Sequence, residues 1–141
     1  QRQRVWIAMA LAQQTGIILL DEPTTYLDLA HQLEVLELLK QLNENQNTTI
    51  VMVLHDLNLA SRYSHYMLAM KDGRIEVYGE PKEVMTETML EHCFGIDGDI
   101  VADRRSGKPM CLSFDLVKND GGAGGLRRDE NFRHNLRRRA A

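Results

Sequence analysis

Two adjacent carboxylates, Asp21 and Glu22, are the residues of this sequence whose types and spacing best suit chemistry. They directly follow the apolar residues 17–20, which predict a short, fully buried strand of a parallel sheet. The C-terminal edge of such a sheet is where α/β proteins bind ligands. One carboxylate there can hold Mg²⁺ through its water shell while the next deprotonates an attacking water, as phosphoryl transfer requires. From these residues alone, a strand that runs into an acidic turn explains the pattern equally well.

His55 stands at the end of a second predicted strand, the β-branched and apolar residues 48–54. Between the two strands, leucines recur at three- and four-residue spacing over residues 29–43, which predicts an amphipathic helix, and a polar loop follows at residues 43–47. Strand, helix and strand in this order predict parallel neighbours joined by a right-handed crossover. A histidine at a strand end is commonly structural, but this topology places His55 at the same sheet edge as Asp21 and Glu22.

Several segments, taken in order and spacing, resemble the second half of an ABC-transporter ATPase subunit. Residues 1–4 correspond to the end of the signature motif and the following helix, residues 17–23 to the Walker B strand, residues 26–28 to the D-loop, and residues 54–56 to the switch histidine. The resemblance implies an α/β fold, the C-terminal part of a P-loop NTPase domain, with a mostly parallel sheet, flanking helices and a C-terminal β-hairpin region. Residues 24–32 and 54–60 look most like subunits of importers for ferric siderophores, haem or cobalamin.

The resemblance also implies a role for each site residue. Asp21 would hold Mg²⁺ through water, Glu22 would act as the general base for the water that attacks ATP, and His55 would contact the γ-phosphate. Asp28 would lie at the interface of two ATPase subunits that close head to tail over two nucleotides. Gln1 would be the last residue of the Leu-Ser-Gly-Gly-Gln signature, presented to the nucleotide of the opposite subunit. The remaining histidines are assigned no role: His31, His65, His92 and His134.

The expected partners are transmembrane permease subunits, a second ATP-binding subunit and, indirectly, a periplasmic or lipoprotein substrate-binding protein. The resemblance implies a peripheral protein on the cytoplasmic face of a bacterial membrane. No apolar run is long enough to cross a bilayer, so membrane contact would be through a partner. Cys93 and Cys111 lie far apart without metal-type spacing, which predicts reduced thiols in the cytoplasm.

Charge divides the chain into an acidic body and a basic tail. The last 21 residues hold six Arg against Asp129 and Glu130, a net charge of +4. Because the whole chain has a net charge of −3, the first 120 residues carry a net charge of −7. An acidic body argues against nucleic acid as the main partner. We expect residues 1–115 to form the ATPase part, and residues 116–141 to be a flexible Gly/Arg-rich tail, either read-through sequence or a segment that binds anionic lipid or RNA.

No phosphate-loop pattern Gly-x-x-x-x-Gly-Lys-Ser/Thr occurs in the sequence; Gly107 and Lys108 fail it because position 102 is Ala and position 109 is Pro. We therefore expect the chain alone to bind Mg-ATP weakly and not to turn it over. Because Gln1 is not Met and enters a helix without a cap, we expect a cut N-terminus. Two alternatives stay open: a non-transport ABC ATPase of translation or DNA maintenance, and an inactive truncated remnant.

Overall fold

A computed structural model describes residues 15–117 of the chain. The signature residue Gln1, the start of the helix expected after it and residues 118–141 of the predicted tail lie outside this range. The chain divides into two compact units, the first ending at Tyr63 and the second beginning at Ser64. The first contains β1 (Ile17–Asp21), α1 (Leu29–Gln46), β2 (Thr49–Val53) and α2 (Leu57–Tyr63). The second contains β3 (Met67–Lys71), β4 (Arg74–Gly79), α3 (Pro81–Val84), α4 (Glu87–Met89), a π-helical segment (Leu90–Phe94), β5 (Ile96–Ala102) and β6 (Pro109–Leu116).

In the first unit, β1 and β2 are parallel neighbours, as the sequence predicts. Their register runs from Ile17 opposite Thr49 to Asp21 opposite Val53, so the two strands end side by side. Helix α1 makes the connection and packs on the sheet through a small apolar core. The core residues of α1 are Val35, Leu39 and Leu42, and the partly buried residues packed against them include Leu20, Leu27, Ile50 and Met52.

The prediction that the first strand is fully buried is wrong for the described structure. Ile18 is 7% exposed, whereas its neighbours Ile17 and Leu19 are 62% and 75% exposed. Val51 and Val53 on β2 are exposed as well. Side chains of a strand point alternately to opposite faces, and α1 covers only one face of this two-stranded sheet.

Helix α1 is longer than predicted and ends at Gln46, beyond the expected boundary at residue 43. The polar, Asn-rich sequence there predicts a loop, but two of its asparagines help to form the C-terminal end of the helix. The Asn43 side-chain amide donates to the Thr48 carbonyl over 2.9 Å. Asn47 then ends the helix in the left-handed region with φ 52°, a conformation that Asn tolerates better than most residues.

The second unit contains two antiparallel hairpins around short helical segments. A tight turn joins β3 and β4, with Asp72 and Gly73 both at the positive φ that an Asp-Gly pair accommodates. Thr86 caps α4, since its hydroxyl accepts from the Met89 amide over 3.2 Å. The hairpin of β5 and β6 has a register that runs from Ile96 opposite Leu116 to Ala102 opposite Pro109. No helix within residues 15–117 is long and apolar enough to span a membrane.

Candidate functional site

The candidate site lies in the first unit, where β1 and β2 end. Glu22 follows the last residue of β1 and turns the chain sharply, with a positive φ of 48°. The Thr25 amide donates to the Glu22 carbonyl over 3.2 Å, and the Leu27 amide donates to the Thr24 carbonyl over 3.3 Å. These two turns carry the chain from the strand to the start of α1. Positive φ is uncommon for residues other than glycine, and such conformations gather at functional sites.

The structure brings Glu22 and His55 together, as the shared sheet edge predicts. Glu22 Oε1 lies 2.6 Å from His55 Nε2, although 33 residues separate them in the chain. The pair is open to solvent, with the His55 side chain 73% exposed and the Glu22 side chain 38% exposed. An exposed pair of this kind contributes little to folding. The contact therefore fits a functional arrangement better than a stabilising one.

Glu22 has a second partner that sequence reasoning missed. The Thr25 hydroxyl donates to Glu22 Oε2 over 2.9 Å, so each carboxylate oxygen has its own contact. The hydrogen bond to His55, and then the one from Thr25, lower the pKa of Glu22 from its usual value. Glu22 is accordingly ionised at neutral pH and can accept a proton. The feature of the sequence that indicates this contact is a hydroxyl residue three positions after a glutamate, within a turn.

Asp21 ends β1 next to this pair, and its residue is exposed. Within the described residues its carboxylate has no hydrogen-bond or ion-pair partner. An exposed, uncommitted carboxylate fits the outer coordination of Mg²⁺, which commonly keeps most of its waters and takes one or two protein oxygens. No group of three or more His, Cys, Asp or Glu suited to a metal occurs between residues 15 and 117.

Asp28 occupies the N-cap position of α1. Its Oδ1 accepts from the His31 amide over 2.9 Å, and His31 Nδ1 lies 2.8 Å from both carboxylate oxygens. The His31 backbone N–H, followed by its ring, lowers the pKa of Asp28. His31, assigned no role from sequence, thus supports Asp28 at the helix start. Gln1, predicted to face the nucleotide of the opposite subunit, lies outside the described residues.

This arrangement places an ionised carboxylate, a histidine and an uncommitted aspartate at the end of two parallel strands. A carboxylate held in this way can orient a water and accept its proton. The imidazole beside it can donate a hydrogen bond to an anionic group such as a phosphate. Chemically, such a set of groups can activate a water for phosphoryl transfer.

Comparison with known proteins identifies close relatives. No protein-family model matches the chain. The iron(3+)-hydroxamate import ATP-binding protein of Bacillus subtilis (strain 168) is 62% identical over 120 residues, which are 85% of this chain and 45% of the relative. A petrobactin import ATP-binding protein of Bacillus anthracis is 55% identical over 112 residues, 79% of this chain and 41% of the relative. The chain thus spans less than half the length of these curated relatives.

Solved structures agree with the sequence relatives. An inward-facing metal-chelate type ABC transporter matches 80% of this chain and 46% of its own chain, with a TM-score of 0.69 and 32% identity. A dimeric ATP-binding cassette bound to ADP and Pi in a post-hydrolysis state matches 57% of this chain and 34% of its own, with a TM-score of 0.53 and 44% identity.

The fold and these matches define the chain as part of an ABC ATPase domain. Within that class it is similar, over part of their length, to the ATP-binding subunits of iron-siderophore and hemin importers.

Proposed function

We propose that this chain is the water-activating part of an ATP-hydrolysing subunit that powers the import of iron-siderophore complexes. The observation that carries the proposal is the 2.6 Å contact between Glu22 Oε1 and His55 Nε2 at the ends of two parallel strands. Two relatives are named as import proteins for iron(3+)-hydroxamate and for petrobactin, and these names support an iron-siderophore complex as the cargo.

In the proposed mechanism, Glu22 accepts the proton of the water that attacks the γ-phosphate. Its lowered pKa keeps it in the accepting form at neutral pH. His55 fixes one carboxylate oxygen and has an exposed ring, from which it can reach the γ-phosphate. Mg²⁺, held through water by Asp21, would neutralise charge on the phosphates.

A second ATP-binding subunit and membrane permease subunits are the proposed partners. The dimeric cassette with bound ADP and Pi supports a paired arrangement of such domains, in which Asp28 would lie at the subunit interface and Gln1 would face the opposite nucleotide. The importer names of the relatives support attachment to a permease at the cytoplasmic side of the membrane, and a substrate-binding protein would deliver the cargo.

The test is Glu22→Gln in the full-length subunit that carries these residues. The amide keeps the size of the side chain but cannot accept a proton as a carboxylate does. We expect ATP binding to stay within about twofold, while the hydrolysis rate falls by about 10²–10⁴-fold. Undiminished turnover in this variant would contradict the proposed role of Glu22.

A further inference from the structure

We propose that Thr25 is a positioning residue for the reaction, whose hydroxyl fixes the orientation of the Glu22 carboxylate. This inference rests on the proposed function and extends it to a residue that the sequence motifs did not assign. It stands on the contact of 2.9 Å between the Thr25 hydroxyl and Glu22 Oε2.

The Glu22 side chain needs a second contact to fix its orientation, because it is partly exposed and His55 contacts only one of its oxygens. Its side chain is 38% exposed, so packing alone does not hold its rotamer. His55 contacts only Oε1, and a single hydrogen bond leaves the carboxylate plane free to rotate about that oxygen. The bond from Thr25 to Oε2 supplies the second point that fixes the plane. Each oxygen still has a further lone pair with which to accept a hydrogen bond from water.

The turn itself places the Thr25 hydroxyl. The Thr25 amide donates to the Glu22 carbonyl, so backbone and side chain of the same residue both contact Glu22. Threonine is β-branched and has few χ1 rotamers, which limits the freedom of its hydroxyl. The carboxylate can only accept, so the direction of the bond is fixed with Thr25 as donor.

The experiment uses the full-length ATP-binding subunit with three single variants. Thr25→Val keeps the β-branched shape and removes the hydroxyl, whereas Thr25→Ser keeps the hydroxyl and removes a methyl group. Thr49→Val is the matched control, because Thr49 is exposed at the start of β2, the end of the strand away from His55. The readouts are kcat, KM for ATP and the Kd of ATP binding.

We expect Thr25→Val to lower kcat by about 10–100-fold, with KM and Kd within about twofold of wild type. Thr25→Ser should restore most of the rate, and Thr49→Val should match wild type. A kcat for Thr25→Val equal to that of Thr49→Val would overturn the inference. Equal losses in Thr25→Val and Thr25→Ser would also overturn it, because the methyl group rather than the hydroxyl would then matter.

Glu22→Gln, measured in parallel, separates this inference from the proposed function. An inactive Glu22→Gln beside a fully active Thr25→Val would overturn the role of Thr25 and leave the proposed function intact. A fully active Glu22→Gln would overturn both, since Thr25 is proposed to act through Glu22.

Discussion

His92 and Glu76 form a part-buried pair in the second unit, with His92 Nε2 lying 3.1 Å from Glu76 Oε2. Their side chains are only 5% and 15% exposed. The Lys71 ammonium donates to the His92 backbone carbonyl over 2.6 Å, so β3, β4 and the π-helical segment meet at this point. The pair joins segments that the sequence separates by 16 residues.

We expect His92→Ala to destabilise the protein, because it leaves the part-buried Glu76 carboxylate without this partner. The free energy of unfolding should fall by about 2–4 kcal/mol. Urea unfolding measures the change, with His65→Ala as the control, since His65 is exposed. A loss for His92→Ala no larger than that for His65→Ala would show that the pair does not stabilise the fold.

Asp28 should make the stability depend on pH through its cap of α1. Its pKa in the folded protein is lowered by the His31 N–H, so its contribution is complete above the unfolded carboxyl pKa of about 4. It is lost as the pH falls through the lowered folded value. Asparagine can cap a helix without the charge. Asp28→Asn should therefore be less stable than wild type at pH 7, with a difference that shrinks towards pH 3.

Thermal unfolding of wild type and Asp28→Asn, side by side at pH 3, 5 and 7, measures this difference. Comparing the two proteins at each pH cancels the titration of all other carboxylates. A difference in Tm that stays constant across the three pH values would contradict the expected contribution of the charge.

Gly98 in β5 lacks room for a side chain. A Cβ there would lie 2.9 Å from Cys111 Sγ, 3.1 Å from the Ser113 carbonyl oxygen and 3.2 Å from Leu90 Cδ1. We expect Gly98→Ala to cost about 1–3 kcal/mol of unfolding free energy through overpacking. Gly16→Ala is the control, because a Cβ there meets nothing within 4 Å. Equal urea midpoints for the two variants would mean that β5 shifts to accept the methyl group without loss.

The sequence predicts the parallel strands and the meeting of Glu22 with His55, because strand, helix and strand leave little choice of topology. The hairpin turn at Asp72 and Gly73 can also be predicted from the sequence, since it depends only on these two adjacent residue types. These features depend on periodicity and turn residues that a single segment carries by itself.

The missed features depend on side-chain geometry or on packing across the chain. The contact of Thr25 with Glu22 forms in a turn where Glu22 has a positive φ, and the residue type of Glu22 does not predict that conformation. The burial of His92 depends on β4 and the π-helical segment packing together. The exposed face of β1, with Ile17 and Leu19, was predicted buried because an apolar run does not reveal how many faces are covered.

The most direct test of the proposed site is a double-mutant cycle on Glu22 and His55 in the full-length subunit. ATP hydrolysis would be measured for wild type, Glu22→Gln, His55→Ala and the double variant, with the Kd of ATP as a check on binding. If the two residues act as one unit, His55→Ala should lose about 10²-fold or more in kcat, and the double variant should be no slower than the slower single variant. Losses that multiply in the double variant, or wild-type turnover in either single variant, would contradict the account.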